Sequence, residues 1–187
     1  MRGKIILLIG GSGSGKSTLI KRLREEYTQV AFIPSMTTRR KRPTEIDGES
    51  YHFIGIDRFQ RLIQEGQFIE YAYVHRAWYG TPRSGYEQII ESGGIVIKDI
   101  DPKGAEAFKR MFPDDVITIF IAVPPEVMKE RLLVRGDTPE LEERMEDYAH
   151  AWEEKDHYDH MIENIDFEKA YRELTELLHQ ELRSIHP

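Results

Sequence analysis

Short apolar runs recur along the chain at positions 4–9, 95–97 and 116–123. Each run is continuous rather than alternating, and a strand that is buried on both faces of a sheet shows this pattern. We therefore predict core strands at these three places.

Between these runs, apolar residues recur with helical spacing. The spacing predicts helices over residues 18–26, after Asp57 as a plausible N-cap, from the prolines at 124–125, and from about Asp166. Apolar strands that alternate with helices imply right-handed crossovers and a mostly parallel sheet. The predicted fold class is α/β, with helices flanking a mostly parallel sheet.

Residues 35–83 break this alternation, because they are rich in turn-forming residues, basic groups and tyrosines. We interpret them as a small substrate-binding lobe inserted into a single domain, whose core is residues 1–34 and 84–187. Residues 135–144 predict a short mobile lid, with Thr138 capping the next helix and Pro139 in the first turn of that helix.

Composition narrows the range of functions. The 187 residues carry a net charge of −7 and include no cysteine, which excludes disulfides and thiolate zinc sites. No apolar run approaches the roughly 20 residues of a membrane span, and the start of the chain does not resemble a signal peptide. The acidic balance argues against a nucleic-acid partner. We expect a cytoplasmic protein without a membrane partner, either a monomer or a homodimer.

Residues 10–17, GGSGSGKS, match G-x-x-x-x-G-K-[ST] at every fixed position. They follow a predicted strand and open a predicted helix, as this phosphate-binding loop requires. Glycines let the backbone wrap closely around an anion at a helix N-terminus. Lys16 would reach the β- and γ-phosphates and Ser17 would ligate Mg²⁺, whereas the alternative is a glycine-rich turn without a ligand. The predicted ligands of the triphosphate are Gly11, Ser12, Gly13, Ser14, Gly15, Lys16, Ser17 and Thr18.

Beyond this P-loop, the chain resembles the guanylate kinase family. Residues 35–53 match the signature S-x-T-T-R-x-x-R-x-x-E-x-x-G-x-x-Y-x-F, and further matches lie at 68–72 (FIEYA), 79–82 (YGTP) and 99–101 (DID). The resemblance covers nearly the whole chain in unbroken order. The signature positions are Ser35, Thr37, Thr38, Arg39, Arg42, Glu45, Gly48, Tyr51 and Phe53, and later motifs are matched at Arg131, Arg135, Gly136 and Asn164.

The resemblance implies a kinase of purine nucleotide metabolism that transfers the γ-phosphoryl group of ATP to GMP, and to dGMP, with Mg²⁺. Asn164 would help to bind ATP. Arg39 and Arg42 would clamp the acceptor phosphate, because a guanidinium offers a bidentate fork to phosphate oxygens. Tyr51 and Tyr79 would add hydroxyl donors. The alternatives are a solvated loop for the arginines and ordinary half-buried tyrosines.

Glu70 is the predicted reader of the acceptor base. An ionised carboxylate only accepts hydrogen bonds, and guanine presents N1–H and an exocyclic amino group side by side. Adenine has no donor at N1, so Glu70 would reject it. The resemblance adds Ser35, Thr81 and Asp101 to this pocket. The alternative for Glu70 is a surface glutamate at a strand edge.

The predicted catalytic groups are positively charged, apart from one carboxylate. Asp99 follows an apolar strand and would orient the waters of Mg²⁺, while the alternative role for Asp99 or Asp101 is helix N-capping. No general base is needed, since the acceptor phosphate oxygen is already anionic. The groups that would spread the charge of the moving phosphoryl group are Lys16, Arg131, Arg135 and Arg144.

Several residues depart from the family pattern: Gly11 replaces a usual proline, Lys98 replaces an apolar residue, and Arg76 and Trp78 lie in a stretch where the family usually has H-G-N-Y. Three other functions stay open beside GMP phosphorylation. One is a kinase of the same fold with another phosphate-bearing acceptor. The second is a non-catalytic interaction module, which the intact lysine and serine of the P-loop disfavour, and the third is a regulatory NTPase, which the inserted lobe disfavours. We interpret the histidines at 157 and 160 as solvated residues rather than metal ligands.

Overall fold

The computed structural model describes residues 2–43, 45–49, 51–74, 76–135, 141–153 and 155–185. These residues form nine strands and seven helices. The strands are β1 (Lys4–Ile9), β2 (Val30–Ala31), β3 (Ser35–Thr37), β4 (Tyr51–Phe53), β5 (Phe68–Val74), β6 (Ala77–Pro82), β7 (Ile95–Asp99), β8 (Val116–Ala122) and β9 (His160–Glu163). The helices are α1 (Lys16–Glu26), α2 (Ile56–Gln64), α3 (Ser84–Glu91), α4 (Pro102–Met111), α5 (Pro125–Arg135), α6 (Leu141–Glu153) and α7 (Phe167–Ile185).

The central sheet contains five strands in the order β2-β7-β1-β8-β9, and every neighbouring pair is parallel. The three strands predicted from apolar runs are its middle strands, β7, β1 and β8. Helices join these strands, as parallel pairing requires. The predicted α/β class with a mostly parallel sheet is confirmed.

A second sheet, of four strands, has the order β4-β3-β6-β5. All of its strands lie between Ser35 and Pro82, within the segment interpreted as an inserted lobe. β5 and β6 form an antiparallel hairpin, and Glu70 pairs with Thr81 across it. The boundaries of the lobe, at 35 and 83, stay a prediction.

Two hydrophobic clusters cover the two faces of the central sheet. Alternate residues of β1 point to opposite faces, so that Leu7 joins a cluster with Phe108 and Tyr148, whereas Leu8 joins a cluster with Leu19. All of these side chains are buried. Burial on both faces explains why the middle strands are continuously apolar.

Most of the predicted helix starts agree with the structure, but one is wrong. α5 begins at the second of its two prolines, and the backbone N–H of Lys169 donates to Asp166 at 3.0 Å in the first turn of α7. Asp57, however, does not cap α2. Gly55 takes the extended N-cap conformation, which places Asp57 inside the first turn, where its charge favours the helix N-terminus.

The two histidines lie in different elements, His157 in a 3₁₀ turn (Lys155–His157) and His160 at the start of β9. The described residues contain no group of three or more His, Cys, Asp or Glu side chains that could hold a metal ion. Over the same part of the chain, no helix has both the length and the apolar character needed to cross a membrane.

Candidate active site

The P-loop joins the end of β1 to the start of α1. Its glycines at 10, 13 and 15 have φ angles of 147°, 91° and 92°, which residues with a side chain rarely adopt. Gly15 is the N-cap of α1, so the loop ends at a helix N-terminus. The backbone therefore forms a glycine turn at a helix N-terminus, as the sequence predicts, and its binding of an anion stays a prediction.

Lys16 lies across this loop. Its ammonium donates to the carbonyl oxygens of Gly10 at 2.6 Å and Gly11 at 2.9 Å. These bonds hold a positive charge beside the inward face of the loop, where a phosphate would bind.

Asn164 and Arg131 extend the site on the side of the P-loop. The Asn164 side chain is buried and its Nδ2 donates to the Ser14 carbonyl at 2.6 Å, while Arg131 Nη2 donates to the Asn164 carbonyl at 2.9 Å. The structure thus brings together three predicted elements that lie far apart in sequence. A cavity of about 980 Å³ is lined here by Gly10, Ser12, Gly13, Gly15, Lys16, Ser17, Thr18, Asp99, Ile100, Asp101, Val127, Glu130, Arg131, Val134, Asn164 and Phe167.

Ser17 and Asp99 join this cavity to a second one. The Ser17 hydroxyl donates to Asp99 Oδ2 at 3.3 Å, because β1 and β7 are parallel neighbours whose carboxyl ends meet. The second cavity has a volume of about 740 Å³ and contains Ser35, Tyr51 and Lys98 in its wall, together with Ser17 and Asp99. Both volumes lie within the roughly 300–1,000 Å³ of small-molecule sites.

Glu70 is half-buried on β5, and Thr81 donates a hydrogen bond from its hydroxyl to Glu70 Oε1. β5 is an edge strand, as the alternative interpretation of Glu70 required, but the side chain is not an exposed one. Burial raises the pKa of Glu70 above its ordinary value, against the lowering effects of the Thr81 hydrogen bond and the Lys98 charge. A partly desolvated carboxylate of this kind suits recognition of donors on a base.

Lys98 is a buried cation beside this carboxylate. Only 6% of the residue is exposed, and its Nζ donates to Ser35 Oγ at 2.7 Å. Burial lowers the pKa of Lys98, while the charges of Asp99, Glu70 and Asp101 raise it. Lys98, which replaces the apolar residue usual in the family, therefore lines the second cavity.

Arg39, predicted as a phosphate ligand, forms a bidentate ion pair with Glu45, with distances of 3.0 Å from Nη1 and 2.6 Å from Nη2. The Arg42 backbone N–H also donates to Glu45, at 2.7 Å, while the Arg42 side chain is exposed. Hydrogen bonds from Arg39 and Arg42 lower the pKa of Glu45 to about 2. Glu45 matched the family signature, but no role was predicted for it.

Tyr51 and Tyr79 lie beside this ion pair. Their rings are half-buried with centroids 5.8 Å apart, and the Arg39 guanidinium lies 5.6 Å from the Tyr51 centroid. The structure therefore brings together three of the four predicted ligands of the acceptor phosphate. Their contact with a phosphate stays a prediction.

Asp101 caps α4, as the alternative interpretation proposed. Its Oδ1 accepts from the Gly104 backbone N–H at 2.7 Å, and Pro102 follows it in the first turn. Asp99 instead bonds with Ser17. One oxygen of Asp101 is thus used for capping, and its predicted contact with the acceptor base stays a prediction.

Half of the predicted lid, residues 136–140 with Thr138 and Pro139, lies outside the described residues. Arg135 is the last residue of α5, and Arg144 lies in the first turn of α6. Their predicted contact with the moving phosphoryl group stays a prediction.

Tyr148, on α6, contacts the P-loop and was missed by the sequence analysis. Its hydroxyl bonds with both the backbone N–H and the carbonyl of Val123, and a Cβ added to Gly11 would lie 2.5 Å from the ring. A glycine therefore replaces the usual proline at a point where an aromatic ring fills the space. The sequence does contain a pattern that could have indicated this residue, because positions 141, 145, 148 and 152 are apolar with helical spacing. Only the acidic positions of this helix were considered.

Trp78 and Arg76 contribute less to the site than their departure from the family pattern suggested. Trp78 stacks on Phe59 with centroids 5.9 Å apart. Arg76 lies in the turn between β5 and β6 with φ 64°. Neither is among the residues that line the two cavities.

The parallel sheet, the glycine loop and the adjoining helix define a P-loop NTPase fold, to which a second sheet and a second cavity are added. A family model of guanylate kinases matches residues 2–181. The guanylate kinase of Maricaulis maris (strain MCS10) is 41% identical over 187 residues, with 96% of this chain and 84% of the relative covered. That of Helicobacter pylori (strain ATCC 700392 / 26695) is 40% identical over 169 residues, with 89% and 82% covered.

A solved structure shows the same similarity. The crystal structure of guanylate kinase from Anaplasma phagocytophilum matches with a TM-score of 0.77 at 30% identity, with 96% of this chain and 86% of that chain covered. The chain belongs to the guanylate kinase family.

Proposed function

We propose that this protein transfers the γ-phosphoryl group of ATP to GMP, and to dGMP, as a cytoplasmic enzyme of purine nucleotide metabolism. The observation that carries the proposal is the meeting of two nucleotide-sized cavities at Ser17 and Asp99. One cavity is formed by the P-loop, and two residues of the acceptor signature, Ser35 and Tyr51, line the other. A phosphoryl group at the shared edge would have its donor on one side and its acceptor on the other.

The reaction needs positioning more than covalent help. A phosphate oxygen of GMP forms a bond to the γ-phosphorus, the bond from that phosphorus to the bridging oxygen breaks, and ADP leaves with the electron pair. Because the attacking oxygen is already anionic, no side chain has to remove a proton. Lys16 and Arg131, with Arg135 and Arg144, would spread the charge that develops on the transferred group.

The residues at the shared edge fit Mg²⁺. Ser17 and Asp99 offer a hydroxyl and a carboxylate oxygen, and this ion prefers oxygen ligands and commonly takes only one or two from the protein. Asp99 would act through a water. When bound, Mg²⁺ would neutralise negative charge on the phosphates.

On the acceptor side, Glu70 would accept from N1–H and the amino group of guanine, with Thr81 holding the carboxylate. Glu45 would hold the Arg39 guanidinium in place for the acceptor phosphate. Arg42, Tyr51 and Tyr79 would complete the contact with this phosphate.

A coupled assay of ADP formation with GMP, dGMP, AMP, UMP and CMP tests the proposal. We expect turnover of the two guanine nucleotides only, and Lys16→Met should lower kcat by about 100- to 1,000-fold, because a donor to the moving charge is lost. The matched control is Lys103→Met, which removes an equal charge from an exposed position and should leave kcat unchanged. Preference for a base other than guanine would point to another acceptor, and failure to bind ATP with Mg²⁺ would point to an interaction module.

A further inference from the structure

Lys98 is a charged group in the second cavity to which the mechanism above gives no task. A buried cation is costly unless it is paired and hydrogen-bonded. Burial lowers the pKa of Lys98, and the charges of Asp99, Glu70 and Asp101 oppose this effect by favouring the charged form. Lys98 is also hydrogen-bonded to Ser35, whose Oγ lies 2.7 Å from Nζ. The side chain therefore lies in the wall of the second cavity, bonded to a predicted residue of the base pocket, rather than in an apolar core.

The hydrogen bond between Lys98 and Ser35 has only one direction. A charged lysine carries donors and no acceptor, whereas a serine hydroxyl has one donor and two acceptor sites. Ser35 must accept, so its own proton points elsewhere. Among the described residues, no side-chain or backbone acceptor is recorded for that proton, and Ser35 lines the second cavity.

A serine whose hydroxyl is held in this way presents a donor to the cavity. Guanine needs such a donor, because its O6 accepts hydrogen bonds while Glu70 takes the donors at N1 and the amino group. Adenine carries an amino donor where guanine carries O6. A freely rotating hydroxyl could turn to accept from that amino group. The bond from Lys98 occupies one of the two acceptor sites of Ser35, and an amino donor at the remaining site would bring a second positively polarised group close to the ammonium, which disfavours adenine.

We propose that Lys98 is a specificity-determining positioning residue, which fixes Ser35 as a hydrogen-bond donor to O6 of the guanine base. This inference rests on the proposed function. Glu70 and the Lys98–Ser35 pair then read opposite halves of the same edge of the base.

Two analogues separate these halves. 6-thio-GMP replaces O6 by sulfur, a weaker acceptor, and keeps both donors, so the ratio of kcat/KM for GMP to that for 6-thio-GMP reports on the Lys98–Ser35 half. IMP lacks the amino group and keeps O6, so the GMP-to-IMP ratio reports on the Glu70 half. A general effect of the missing charge on Glu70 acts on all three acceptors and cancels in the first ratio.

The experiment measures both ratios in the wild type, Lys98→Met, Ser35→Ala and the double variant. We expect Lys98→Met to reduce the GMP-to-6-thio-GMP ratio by about 3- to 10-fold, the worth of one hydrogen bond, while any effect that acts through Glu70 shows in the GMP-to-IMP ratio instead. Ser35→Ala should reduce the first ratio by a similar factor, and the double variant should match Ser35→Ala because Lys98 acts through Ser35. The charge control Lys103→Met should change neither ratio.

Three outcomes would overturn the inference: a wild-type ratio in Lys98→Met, independent effects that multiply in the double variant, or an unchanged ratio in Ser35→Ala. The measurement on Ser35→Ala remains decisive even if Lys98→Met does not fold. If the wild type itself fails to phosphorylate GMP, the proposed function falls instead, so the two failures are distinguishable.

Discussion

The Glu70 carboxylate is partly buried beside Thr81, and burial raises its pKa above the ordinary value. The groups that act on it are the Thr81 hydroxyl, the Lys98 ammonium from β7 and the Asp101 carboxylate that follows β7, and its charge in turn acts on Tyr86 of α3. Only the ionised form accepts from both donors of guanine. Recognition of GMP should therefore depend on pH.

We predict that kcat/KM for GMP falls as the pH is lowered through the raised pKa of Glu70, at a higher pH than an ordinary carboxylate would give. Glu70→Gln should lower kcat/KM by about 100-fold at neutral pH, because two charge-assisted hydrogen bonds are lost, and should remove this acidic limb. The measurement is the pH profile of kcat/KM for GMP in both proteins. Glu65→Gln, at an exposed position on the same lobe, is the control, and an identical acidic limb in Glu70→Gln would contradict the assignment.

The residues of the P-loop could be predicted, because the spacing of glycines, lysine and serine determines a local backbone conformation. The contacts between residues far apart in the sequence could not be predicted. Lys98 and Ser35 lie 63 positions apart and meet only through the packing of two sheets. The sequence showed that Lys98 was unusual, but not which hydroxyl it would hold.

At the scale of elements, α6 is connected to the P-loop through Tyr148. Its ring lies against Gly11, and its hydroxyl bonds with the backbone of Val123 at the end of β8. Both Tyr148 and Val123 are buried. The helix that follows the predicted lid is therefore anchored next to the P-loop.

Tyr148→Phe should reduce the free energy of unfolding by about 1–3 kcal/mol, because the ring is kept while a buried backbone N–H loses its partner. Urea denaturation measures this change. Tyr86→Phe is the matched control, since the Tyr86 hydroxyl is also buried but has no hydrogen-bond partner among the described residues. Equal stability of Tyr148→Phe and the wild type would show that the hydroxyl does not anchor the helix.

Long, continuously apolar strands were predictable and the other strands were not. The apolar runs of β1 and β8 contain six and seven residues, enough to show a pattern. β2, β3 and β4 contain two or three residues each, too few to show any period. β5 and β6 are as long as β8 and β1 but are only partly buried, so the second sheet appeared in the sequence only as a break in the alternation. The strand order of the central sheet likewise depends on packing that no single segment encodes.

Across the part of the chain that the structure describes, three carboxylates have lowered pKa values. Glu26 pairs with Arg22, which also bonds with Glu168 on α7. Asp159 is partly buried, which opposes ionisation, but hydrogen bonds from Thr118 and the nearby Lys109 lower its pKa. Glu45 holds Arg39 in the second sheet.

These shifts determine how stability should respond to acid. A carboxylate whose pKa is lower in the folded chain than in the unfolded one stabilises the fold above the unfolded value, and this stabilisation is lost as the pH falls through the folded value. For Glu45, this stabilisation is lost as the pH falls from about 4.5 to about 2. Glu70 has a raised pKa, so its contribution to stability changes with pH in the opposite direction.

We therefore predict that the urea midpoint of the wild type falls as the pH is lowered from 7 towards 3, and that Glu45→Gln has a flatter profile. The wild type should be the more stable of the two at neutral pH, and the difference should shrink as Glu45 gains its proton, since the variant has no charge to lose at this position. Glu65→Gln should follow the wild-type profile. Parallel profiles for the wild type and Glu45→Gln would mean that the ion pair with Arg39 does not stabilise the folded chain. In that case the aromatic neighbours Tyr51 and Phe53 would have to hold Arg39 in place for the acceptor phosphate.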